Sequence, residues 1–233
     1  TRLMANNVVK VNGIAIANIA KLNGITDANL AKLNGEEFTG TLPDAHTLIS
    51  THDIAVLGAS ASIDITSGID NTYDAYEFRF MNMHPVDDGK PLLFQVNAYD
   101  TSADPPQLTG FNEKITSTIF SVYNNEADSA AAITYQTSVD QAEGVAYQYL
   151  SDSIGNDNDE SASGILTLYA PSSPTYVKQF TSMLNGYYHG DFSIQEFGAG
   201  YINTTNAINQ ISFKFLSGNI DAGEIKMYGI AKS

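Results

Sequence analysis

Between residues 8 and 40 the chain repeats itself every eleven residues, as VVKVNGIAIAN, IAKLNGITDAN and LAKLNGEEFTG. The three copies align without a gap. Val8, Ile19 and Leu30 take the first position, Lys10, Lys21 and Lys32 the third, and Val11, Leu22 and Leu33 the fourth. Asn-Gly follows each time, ending at Gly13, Gly24 and Gly35. An eleven-residue period suits a right-handed coiled coil, but one Gly per unit costs a continuous helix about 1 kcal/mol each time. Asn-Gly instead favours a reversal with positive φ, either a type I′ turn or the left-handed end of a short helix. Ile19, Leu22 and Ile25 are spaced by three, which puts them on one side of a helical turn. The spacing therefore predicts one short helical turn per repeat, with Asp27 as N-cap, Ala28 to Leu33 helical, and Asn34-Gly35 closing it.

About three apolar side chains per copy cannot close a core within one chain. Residues 1–40 are accordingly read as an anchoring and oligomerisation segment. Its assembly positions are Val8, Lys10, Val11, Ile19, Lys21, Leu22, Leu30, Lys32 and Leu33, and its turn glycines are Gly13, Gly24 and Gly35. A symmetric homo-oligomer, a trimer above all, is the expected state.

Charge separates this segment from the rest. Residues 1–35 carry four bases and one acid, leaving seven bases and 25 acids, a charge of −18, for the remainder of the 233-residue chain. Such a surface repels phosphate backbones, so nucleic-acid binding is not expected, and no apolar run approaches a membrane span. With no cysteine and only four histidines, thiolate chemistry and the usual zinc sites are excluded. No cofactor is expected.

From about Ser60 the apolar period changes to two, in short runs separated by turn clusters. Tyr76, Phe78 and Phe80 alternate with Glu77 and Arg79. Leu92, Phe94 and Val96 alternate with Leu93, Gln95 and Asn97. The Asp-Gly within residues 84–91 reads as a hairpin joining these two runs. Further strands are expected at 62–66, 115–123, 145–150, 164–170, 175–183, 194–202, 209–216 and 224–230, with one helical turn at 126–133. The fold class is therefore all-β: an antiparallel two-sheet, jelly-roll-like sandwich over residues 60–233, preceded by an irregular linker at 41–59 and the repeat segment.

Catalytic motifs are missing: there is no GxSxG elbow, Walker loop or HExxH, and Gly198-Ala199-Gly200 sits in a β pattern where it reads as a bulge or tight bend. The expected protein is not an enzyme. Asp157 and Asp159, in an acidic loop of alternating oxygen-bearing residues, are the candidates for a Ca²⁺ site, although the EF-hand Gly and Glu are lacking and a plain solvated turn is the stronger reading. His84 and His189 read as turn residues. Tyr187, Tyr188 and His189, flanked by Asn185 and Asp191, are the candidates for glycan contact, since exposed rings beside polar side chains can stack on sugars.

Two stretches carry a family resemblance. The IAKLNGI unit resembles N-terminal segments of tailed-bacteriophage structural proteins. The body, through NDNDESASGILTLYAPSS at 156–173 and SGNIDAGEIKMYGI at 217–230, is similar to a domain of virion proteins from marine and cyanobacterial phages. The resemblance implies localisation in the virion, as a fibre or capsid decoration protein contacting other virion proteins, usually trimeric. It brings no catalytic residues. A carbohydrate-binding or receptor-binding tail-fibre tip that contacts a host-surface glycan is the alternative expectation.

Overall fold

The computed structural model describes residues 46–230 and, before them, six two-residue strands. These pair as β1 (Lys10–Val11) with β2 (Ile14–Ala15), β3 (Lys21–Leu22) with β4 (Ile25–Thr26), and β5 (Lys32–Leu33) with β6 (Glu36–Glu37). In each pair the register leaves the Asn-Gly dipeptide between the partners, as in Lys10 with Ala15 and Val11 with Ile14. The helical turn expected over Ala28 to Leu33 is thus corrected at Lys32 and Leu33, which are strand. Of the two reversals open to Asn-Gly, the local pairing is that of a two-residue hairpin. Val8, Ile19, Leu30 and the three turn glycines lie outside the described residues.

The body is built almost entirely of strands: β7 (His46–Asp53), β8 (Ile63–Ile65), β9 (Ala75–Pro85), β10 (Leu92–Asp100), β11 (Gln107–Leu108), β12 (Ile115–Asn125), β13 (Ala131–Tyr135), β14 (Gln148–Tyr149), β15 (Ala162–Tyr169), β16 (Lys178–Tyr188), β17 (Phe192–Ile202), β18 (Ala207–Phe215) and β19 (Ile220–Ile230). They form two antiparallel sheets. One has eight strands in the order β13-β12-β17-β16-β15-β9-β19-β7, and the other runs β11-β10-β18-β8 with β14 also on β10.

The sheets meet through aromatic contacts fixed by the period-two pattern. Phe78 and Phe80, on the inner face of β9, lie 5.4 and 5.1 Å from the ring of Phe213 on β18, and Phe94 of β10 lies 5.1 Å from Phe180 of β16. All five rings are buried. Removing one from such a contact leaves a cavity that neighbouring strands cannot refill. Phe213→Ala should lower stability by about 4 kcal/mol in urea unfolding, and a loss below about 1 kcal/mol would show that Phe213 is not a hinge of the core.

Further expectations require correction. The β9 and β10 runs do not form a hairpin: Asp88-Gly89 does turn the chain, with Gly89 at φ 65°, but the two strands enter different sheets. Turn chemistry is local, whereas strand partnership is decided by the faces that must be buried. The linker expected at 41–59 is not irregular over its second half, since β7 and the short helix α1 (Ile54–Leu57) occupy it and Ile54 is buried. The helical turn expected at 126–133 is instead the connection into β13, which pairs with β12 from Phe120↔Tyr135 to Asn124↔Ala131.

Gly198 and Gly200 lie in regular register within β17, not at a bulge. A Cβ on Gly200 would come 2.4 Å from the Thr116 carbonyl oxygen, so glycine is there for close packing. β16 starts later than expected because Lys178 folds inward, where its Nζ donates to the carbonyls of Ser173, Tyr176 and Thr204 and holds the preceding loop.

Candidate functional site

The inward phase of β17 is Phe192, Ile194, Glu196, Gly198, so a carboxylate occupies an otherwise apolar row. Glu196 is 5% exposed, and neither of its carboxylate oxygens has a hydrogen-bond partner. Cross-strand register sets its surroundings: Ser121 of β12 and Leu184 of β16 lie directly opposite it. Tyr123 faces Ile194, and Tyr188 faces Phe192.

A roof formed by residues 136–139 and 149–152 is pinned above this row. Gln136 Nε2 donates to Ser121 Oγ at 2.5 Å, and Gln148 accepts from Ser117 Oγ at 2.6 Å while donating to the Val139 carbonyl at 3.1 Å. Ser151 Oγ takes the Leu92 N–H at 2.9 Å and donates to the Asp152 carbonyl at 3.0 Å. Beneath the roof lies a cavity of about 120 Å³ lined by Glu196, Asp152, Gln136 and Tyr149 among others. It adjoins a second chamber of about 280 Å³, walled by Tyr123, Tyr188, Phe192 and Ile194, and the two share Gln136 and Asp152. Phe192 stands edge-on to both tyrosines, at 5.8 and 5.6 Å.

Burial, reinforced by the charge of Asp152, pushes the Glu196 carboxyl up to about 7. Burial and then Asp152 also raise the Tyr188 phenol. A buried acid near neutrality, beside a second carboxylate in a cleft, is the kind of group that marks a functional site. Sequence patterning carried a usable signal for it, because Glu196 stands in the apolar phase of its strand.

The candidate glycan residues are divided by the pleat. Tyr187 and Tyr188 are consecutive in β16 and point to opposite faces. Tyr188 walls the cleft. Tyr187 donates its hydroxyl to Glu126 at 2.9 Å and lies 3.3 Å from Asp191, within a shallow groove also lined by Asn124 and Asn185. His189 packs at a 38° tilt against Tyr188, with the ring centroids 4.3 Å apart. The three therefore do not make one stacking platform.

The acidic loop closes on itself. Glu160 turns inward and accepts the Asp157 N–H at 2.8 Å, while Asp157 and Asp159 are exposed. Among the described residues no group of three or more His, Asp or Glu side chains converges to hold a metal ion.

His84 ties this loop to β19, with Nδ1 2.6 Å from Asp221 Oδ1 and Nε2 3.1 Å from the Asp157 carbonyl. Burial opposes protonation, yet the Asp221 contact outweighs it and the imidazole is raised above its ordinary 6.5. The stability this adds is fully present below 6.5 and is lost as pH rises through the folded value. His84→Ala should therefore cost more stability at pH 5.5 than at pH 8.5 in paired unfolding curves. An equal cost at both values would mean that the Asp221 contact contributes no charge pairing.

On the outer face of the eight-stranded sheet a second feature runs across five strands. Tyr135, Phe120, Phe197, Met183 and Ile165 are successive cross-strand neighbours on β13, β12, β17, β16 and β15. Tyr135, Phe120 and Met183 are 47%, 43% and 49% exposed, and Ile133 beside them is 75% exposed. Phe120 and Phe197 stack at 4.9 Å with 13° between their planes. On β16 and β17 the same outward phase otherwise carries mainly polar residues, such as Gln179, Thr181 and Asn185 beside Met183 and Ser193 and Gln195 beside Phe197. The chain matches no protein-family model, no curated protein and no solved structure.

Proposed function

We propose that this chain is a non-enzymatic structural protein of the tailed-phage virion, an oligomeric fibre or head-decoration component. Its N-terminal repeats anchor it, and its jelly-roll-like sandwich is displayed outward. The apolar row from Tyr135 to Ile165 carries this reading. A strongly acidic body that keeps such a row uncovered has a surface suited to burial against a copy of itself. The repeats support the same conclusion, because a two-residue hairpin recurring every eleven residues supplies regular apolar positions without a core of its own. The jelly-roll-like reading is supported by β9 and β10, and likewise β18 and β19, being consecutive strands that lie in different sheets.

Immunogold labelling of intact particles with an antibody against the β body tests the assignment. Gold on the particle surface at regular sites is expected, and label confined to the soluble fraction of the lysate would contradict it. The alternative, a receptor-binding tip, draws on the groove at Tyr187 with its Asn124 and Asn185 amides. It requires a glycan-array signal that Tyr187→Ala removes.

A further inference from the structure

The cleft over Glu196 has a chemical bias that the display role does not explain. Both Glu196 oxygens are free acceptors. Asp152 adds a second carboxylate, with Oδ1 taking the Ser153 N–H at 2.7 Å. Gln136 donates one of its two amide N–H groups to Ser121 Oγ. Ser151 Oγ already both accepts and donates. The residues lining the two chambers include no Lys, Arg or His, so no cationic side chain of the lining answers the two carboxylates.

A pocket with two carboxylates and no cationic side chain, at the end of an aromatic and aliphatic chamber, suits a ligand that carries positive charge and has an apolar stem. A neutral polyol matches less well, since it leaves the charge of a buried carboxylate uncompensated. A bare divalent cation satisfies the carboxylates but leaves the chamber of Tyr123, Tyr188 and Phe192 without a role, whereas such rings favour organic cations.

We propose that this two-chamber cleft is a binding site for an alkylammonium group, its nitrogen held by Glu196 and Asp152 and its carbon stem lying against Tyr123, Tyr188 and Phe192. The inference goes beyond the display function and does not depend on it. The ammonium could come from a free amine or from a lysine side chain of a partner protein, and the chemistry recognised is the same.

Binding should also be proton-linked. The titratable groups lining the cleft with Glu196 are Asp152 from the roof and the phenols of Tyr149, Tyr123 and Tyr188. With the Glu196 carboxyl at about 7, a proton competes with the ammonium below neutrality.

Calorimetric titration of the full chain with n-butylamine, Nα-acetyl-lysine amide, methyl glucoside and calcium chloride tests this. Saturable binding of both amines is expected at pH 8, with a dissociation constant on the order of 1 mM, weakening about tenfold at pH 6. Tighter binding of the lysine amide would assign the site to a protein side chain, and equal binding to a free amine. Glu196→Gln and, independently, Asp152→Asn should each weaken amine binding about tenfold or more. The proposal is overturned if neither amine saturates, if binding survives both substitutions, if pH has no effect, or if only the glucoside or calcium binds.

Discussion

Glu196→Gln should make the protein more stable at pH 8 by about 2–3 kcal/mol while changing its stability little at pH 4. The folded carboxyl titrates at about 7 against an ordinary 4.5, so between those values the folded state retains a proton that the unfolded chain releases. Stability of the parent therefore falls as pH rises through this interval and levels off above about 7, where a charge is held with neither oxygen partnered. Gln carries no such charge, and the difference between the two proteins should open across the same window. Urea unfolding of both at pH 4, 6 and 8 measures it. A variant that is less stable at every pH would mean that the carboxylate has structural partners and is not held against its preference.

The alternating runs in the sequence were enough to locate most of the strands, because inner positions such as Tyr76, Phe78 and Phe80 must be buried together and period two is the only backbone geometry that allows it. Partnership was not legible. Asp88-Gly89 announces a turn, but whether the strands on either side pair depends on Phe213, more than a hundred residues away, filling the space between Phe78 and Phe80. The β7 strand and α1 are not legible for a similar reason: residues 46–57 have weak alternation, and Ile54 is buried in a core built from residues distant in sequence.

The cleft and the outer row were both written as phase errors. Glu196 is polar in an apolar phase, and Phe197 and Met183 are apolar in largely polar ones. Neither forms a motif along the chain, because each gains meaning only when the register sets residues of neighbouring strands side by side. Tyr187 and Tyr188 show the converse, since adjacency in sequence suggested one surface and the pleat assigned them to two.

Replacing Phe120 and Met183 together with Lys should break self-association while leaving the fold intact. Both side chains point outward, and they are joined through Phe197 in one cross-strand row, so the double change places two charges in the centre of the apolar surface. Burying about 1.5–3 kcal/mol of side chain at each position is lost and a desolvation cost is added, which weakens association by on the order of a thousandfold or more. Thermal unfolding should shift by only a few degrees, because the core residues Phe94, Phe180 and Phe213 are untouched. Dissociation accompanied by loss of the folded body would show that the row belongs to the fold of one chain instead of to a contact between chains.

The claim on which this account turns is that copies of the chain cover that face in one another. Sedimentation equilibrium of the full chain at micromolar concentration tests it without substitution or partner. The account predicts a single species near three times the 25.1 kDa chain, about 75 kDa. A monodisperse 25.1 kDa species across the concentration range would contradict it.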